Sequence, residues 1–114
     1  MKTFEEQLNE VKRFYPNVAV IPEGGVSFIF FQELELPSGC IPGSIDALLC
    51  PVMRDGYHSR LFYAQKIEGI PQKNWNGTLR ICDKTWYSYS WNSKEGMDLI
   101  QMIQYHLYTL SLAK

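Results

Sequence analysis

Near the start of the chain, Phe4, Leu8, Val11 and then Phe14 or Tyr15 recur at helical spacing. Thr3 followed by Glu6 supplies a capping box, in which hydroxyl and carboxylate each satisfy a helix-start donor. Pro16 and Asn17 end this helix. The pattern then becomes β-like. VAVIP and VSFIFFQELEL flank Gly24-Gly25 and read as a hairpin. The second run begins apolar on both faces, which predicts burial on both sides. It then alternates Leu34 and Leu36 against Glu33 and Glu35, which predicts one wet face.

PSGCIPG is a loop, and SIDALLCPV is a third strand that Pro51 ends or marks as an edge. RDGYHS is a turn and RLFYAQKIEG a fourth strand. IPQKNWNG is irregular, and TLRIC is a short extended piece. Ser93 caps a final helix whose apolar face is Met97, Ile100, Ile103, Leu107 and Leu110, with Gly96 weakening its first turn. The expected fold is a single α+β domain over residues 1–114. Its parts are an N-terminal helix, a four-stranded antiparallel meander, a cysteine-bearing irregular stretch and a C-terminal helix, with the helices on one face or end.

Composition changes this picture little. The 114 residues are 46% hydrophobic, enough for one core. A formal net charge of −1 gives no field that calls for nucleic acid or an anionic membrane. No run approaches the ~18 apolar residues of a membrane-spanning helix. Glu5, Glu6 and Glu10 stand where a signal peptide needs an apolar stretch, so a cytoplasmic protein is expected. Cys40, Cys50 and Cys82 are odd in number and widely spaced, and neither His58 nor His106 has metal-ligand spacing to them. Reduced thiols without metal or cofactor fit that pattern.

The candidate chemistry centres on Cys82. In TLRIC, Leu79 and Ile81 share one face of an extended chain and Arg80 and Cys82 the other. With the first pair in the core, Cys82 points outward beside a cation that favours its thiolate. The alternative is ordinary packing, since free cysteine is among the most often buried residues. Cys50, in ALLCPV, is core, whereas Cys40 lies in a loop and is a candidate for exposure. Ser88, Ser90 and Ser93 have no adjacent histidine and no G-x-S-x-G surrounds them, which argues against a serine hydrolase. The aromatics from Trp86 to Trp91 read either as a binding edge or, more simply, as the lid of a small core.

Asn74-Trp75-Asn76, Gly77, Ile81-Cys82, Trp91 and a helix from Ser93 follow one another in an order that resembles the ubiquitin-conjugating (UBC-like) superfamily. LELPSGCIPGSIDALLCPVMRDGYHSRLFYA is similar to the compact bacterial branch of that superfamily. The motif resemblance spans Leu36 to Trp91. The family's His-Pro-Asn triplet is represented only by Asn76, and Asp83 stands where leucine is usual. The resemblance implies acyl transfer through a cysteine thioester. Cys82 accepts a ubiquitin-like protein from an activating enzyme, and an amine on a target then attacks it. Asn76 is then the oxyanion stabiliser, Asp83 the residue that orients or deprotonates the amine, and Trp86 and Trp91 are supports. The implied partners are a ubiquitin-like protein, an activating enzyme and a JAB-type deconjugating peptidase, in the setting of a bacterial antiviral defence operon. Lys2, Lys12 and Arg13 on the first helix become candidate contacts for the activating enzyme. The alternative is a non-catalytic binding or adaptor module for the same partners, which expects a buried Cys82. An unrelated interaction domain is a third reading.

Overall fold

The computed structural model describes residues 2–113. Helix α1 spans Phe4–Phe14, and Thr3 and Glu6 form the capping box expected for it. Strands β1 (Val18–Glu23) and β2 (Val26–Glu35) form the hairpin across Gly24 and Gly25, both of which have positive φ. That geometry matches a tight turn between right-twisted strands and suits glycine. Strands β3 (Ser44–Cys50) and β4 (Arg60–Tyr63) continue the meander. β4 ends well short of the expected RLFYAQKIEG run.

The four-stranded UBC-like meander with an irregular cysteine-bearing stretch is not what the chain forms. β5 (Trp75–Ile81) and β6 (Lys84–Tyr89) are paired antiparallel, and β6 joins β4. The result is one six-stranded antiparallel sheet in the order β1-β2-β3-β4-β6-β5. The segment read as irregular is a hairpin whose turn lacks the usual glycine or asparagine. Helix α2 also starts later than expected. It spans Leu99–Thr109, and Asp98 caps it in a box with Gln101, while Ser93 lies in the preceding loop.

Both helices pack on one face of the sheet. There Val11, Leu99, Ile100, Ile103 and Leu110 meet Ile29, Phe31, Leu34, Ala47, Leu49, Leu61 and Tyr63. Phe31 and Leu34 share that face despite their odd spacing because a bulge lies between them. Glu33 takes positive φ there, and its N–H donates to Asp46 Oδ1 at 2.8 Å. The other face carries Phe28, Leu48, Cys50, Phe62, Ile81 and Trp86, all nearly inaccessible. Among the described residues no helix residue packs against them. Three strand spacings separate β2 from β6, roughly 14 Å in a flat sheet. Yet the rings of Phe30 and Trp86 meet edge to face with centroids 6.3 Å apart. The sheet therefore curls over its second face, and the β5–β6 hairpin closes it.

Candidate functional site

Ile81 pairs with Lys84, which leaves Cys82 and Asp83 as a two-residue turn. Both have positive φ, 55° and 58°, as a type I′ turn requires. Aspartate tolerates this conformation, whereas a cysteine there is uncommon. Beside the turn, Trp86 Nε1 donates to the Ile81 carbonyl at 3.0 Å. The thiol is thus carried outward on a tip. Leu79 and Ile81 pack inward as the alternation predicted, and Cys82 is exposed. Arg80, expected to attend the thiolate, instead donates across the hairpin to Thr85 Oγ1 at 3.1 Å. Asp83 shares the turn with Cys82. The other two thiols are buried, Cys40 against expectation, and burial raises the pKa of both.

Asn76 is not brought to Cys82. Trp75 pairs with Tyr89 and Gly77 with Ser88, so Asn76 is the extra residue of a bulge at the far end of β5. At ~3.3 Å per residue, roughly 17 Å of strand separates it from Ile81. Its Oδ1 accepts from Arg60 Nη2 at 2.9 Å, and the same nitrogen donates to the Tyr89 carbonyl at 3.3 Å. A Cβ on Gly77 would lie 2.6–2.8 Å from the Arg60 guanidinium. Asn76 and Gly77 together form the seat of a buried arginine.

A second polar cluster escaped the sequence analysis. Ser59 Oγ lies 2.9 Å from His106 Nε2 and 2.5 Å from Ser93 Oγ. Burial, reinforced by the nearby Arg60 charge, pushes the His106 pKa down to about 4. Ser59 and His106 are enclosed, so no substrate reaches the pair, and it acts as a latch between β4, the loop carrying Ser93 and α2. The partners are far apart in sequence and leave no motif. The one available signal was that His106 lies at helical spacing with Ile103 and Leu110.

Two clefts adjoin the end of β6. One, of ≈540 Å³, is lined by Tyr57, Ser90, Trp91, Asn92 and Ala113. The other, of ≈480 Å³, is lined by Pro71, Gln72, Lys73, Asn74 and Ala113. The Lys73 ammonium sits 5.0 Å from the Trp91 ring centroid and 5.5 Å from that of Tyr89, and it donates to the Leu112 carbonyl. Its burial lowers its pKa. A separate groove of ≈410 Å³ runs past Phe4, Val26, Val52, Met97 and Met102 at the start of α1. Lys2 precedes α1 rather than lying on it and is held by Glu10 at 2.9 Å, approaching Asp98 at 3.8 Å, while Lys12 and Arg13 on the helix are exposed.

Among the described residues no cluster of histidine, cysteine or carboxylate side chains has metal-binding geometry, and no helix is long and apolar enough to cross a membrane. Comparison with protein-family models, curated proteins and solved structures gave no match.

Proposed function

We propose that this chain is a protein-binding module that holds a ubiquitin-like protein or its activating enzyme and does not form a thioester itself. The observation that carries this reading is the commitment of Asn76 to Arg60 at the opposite end of β5 from Cys82. A thioester site needs a donor beside the nucleophile where the oxyanion develops. The partner class follows from the sequence resemblance between Leu36 and Trp91. The apolar groove at the start of α1 offers a contact surface. Phe4 and Val52 on its walls are exposed, and Met97 and Met102 supply side chains that adapt to a partner.

A second reading is favoured by one observation. Cys82 is the single exposed thiol of the three, as a thioester acceptor needs and as a module would not require. The two-residue turn accounts for that exposure without catalysis.

Co-elution with the candidate partners on size exclusion tests the binding reading. Cys82→Ser is expected to leave co-elution unchanged, and Val52→Asp to weaken it. Absence of co-elution with both partners would overturn the proposal.

A further inference from the structure

Among the described residues, two cations near the end of β6 are buried with no carboxylate in ion-pair contact, although Asp55 acts on Arg60 at longer range. Arg60 is 3% exposed and Lys73 7%. The ion pairs among the described residues involve Lys2 and Arg54 instead. Arg60 reaches only the neutral oxygens of Asn76 and Tyr89, and its Nε is buried with no partner. Among the described residues, the hydrogen-bond partner of Lys73 is the Leu112 carbonyl, and its other contacts are the Tyr89 and Trp91 rings. A buried charge without a counter-charge is costly, and folded proteins normally pair it.

Both cations converge on Tyr89, one on its carbonyl and one on its ring. Both also stand behind the aromatic walls of the ≈540 Å³ cleft. Arg60 lies 4.3 Å from the Tyr57 ring centroid, and Lys73 lies 5.0 Å from that of Trp91. Ser90 is on the cleft wall, and Asn74 borders the adjoining cleft that shares Ala113. Lys73 lines the ≈480 Å³ cleft itself, whereas Arg60 lies behind Tyr57 and lines neither.

The segment that crosses this opening shows what fits there. Ala113 lines both clefts, and Leu112 just before it presents its main-chain carbonyl to the Lys73 ammonium. A peptide C-terminal carboxylate is the charged counterpart of that group, and its hydrogen bond to an ammonium is the stronger one. Phosphate fits less well, since it is best served by several convergent N–H donors and Arg60 Nη2 is already shared between two acceptors.

We propose that the ≈480 Å³ cleft, which Lys73 lines, binds the C-terminal carboxylate of an extended peptide, with Lys73 as the direct contact and Arg60 as a second positive charge behind Tyr57 of the adjoining cleft. The ligand displaces the Leu112 carbonyl from Lys73. The proposal deepens the binding-module reading by naming a site and a ligand chemistry.

The test is an NMR titration of the full chain with the blocked tetrapeptide LSLA, the sequence of residues 110–113, as free acid and as amide. The acid is expected to bind about tenfold more tightly than the amide, a difference typical of one charge-assisted hydrogen bond. The shifts should centre on Trp91, Ser90 and Lys73. Lys73→Gln should bring the two affinities together, and Lys73→Arg should keep the preference for the acid. Equal binding of acid and amide, binding of neither, shifts centred elsewhere, or inorganic phosphate binding as tightly as the acid would each overturn it. The wild-type acid-to-amide ratio decides the matter even where a Lys73 variant does not fold. Partner co-elution without peptide binding sinks this inference alone. Peptide binding without partner co-elution sinks only the partner assignment.

Discussion

The guanidinium of Arg60 fills the space that a side chain on Gly77 would occupy, with the added Cβ falling 2.6–2.8 Å from its atoms. Arg60 cannot easily retreat, because Asn76 and the Tyr89 carbonyl hold it from β5 and β6. Gly77→Ala should therefore destabilise the protein by about 1–3 kcal/mol, the usual cost of overpacking a filled site. Urea denaturation against Thr78→Ala, on the exposed side of the same strand, measures the difference. Equal stability of the two variants would show that the seat yields.

The Cys82–Asp83 turn has the backbone of a type I′ hairpin but not its preferred residues. Cys82→Asn combined with Asp83→Gly should raise stability by about 1 kcal/mol, because those residues adopt positive φ at lower cost. A thermal melt reads this directly. In the unmodified protein, iodoacetamide should label Cys82 first and leave Cys40 and Cys50 protected until unfolding.

His106 links stability to pH. Its folded pKa of about 4 lies below the unfolded value, so the native state favours the neutral ring. Above the unfolded pKa of about 6.5 its contribution is fully present. As pH falls towards 4 the unfolded chain takes up a proton that the native state refuses, and roughly 3 kcal/mol is lost. Urea midpoints at pH 7 and pH 4.5 should differ accordingly, and His106→Gln should flatten that dependence. An unchanged slope in the variant would assign the acid sensitivity to other groups.

Tyr63 and Tyr89 stack in the core but differ at their hydroxyls. That of Tyr63 is buried and has only the Tyr89 hydroxyl near it, without the geometry of a hydrogen bond, whereas that of Tyr89 lies 2.8 Å from Thr109 Oγ1. Tyr63→Phe should be neutral or stabilising by up to about 1 kcal/mol, and Tyr89→Phe should cost about 1 kcal/mol. Chemical denaturation of the two variants side by side checks the contrast.

Elements that announce themselves locally were legible in the sequence. The Thr3–Glu6 box, the Gly24-Gly25 turn and the doubly apolar start of β2 each state their structure within a few residues. The last hairpin was not legible. Its turn residues, Cys82 and Asp83, carry no glycine, so TLRIC and the aromatics after it were not joined. The start of α2 was misplaced because Ser93 looks like a cap, yet its hydroxyl is spent on Ser59 and Asp98 caps instead. Cys82 and Asp83 adjoin in the chain and stay together in space. Asn76 was nominated by order alone, and order does not show that an intervening strand runs straight or that Arg60, sixteen residues earlier, claims its side chain. The buried cations followed the same rule, since long-range partners leave no spacing to read.

Cys82 sits on a hairpin tip, and Asn76 and Arg80 are both engaged elsewhere. The decisive experiment mixes the purified chain with a ubiquitin-like protein, its activating enzyme and ATP, and runs a non-reducing gel. A partner should co-purify, and no conjugate-sized band sensitive to thiol reductant should form. Such a band, lost in Cys82→Ala and kept in Cys50→Ala, would contradict this and make Cys82 the nucleophile.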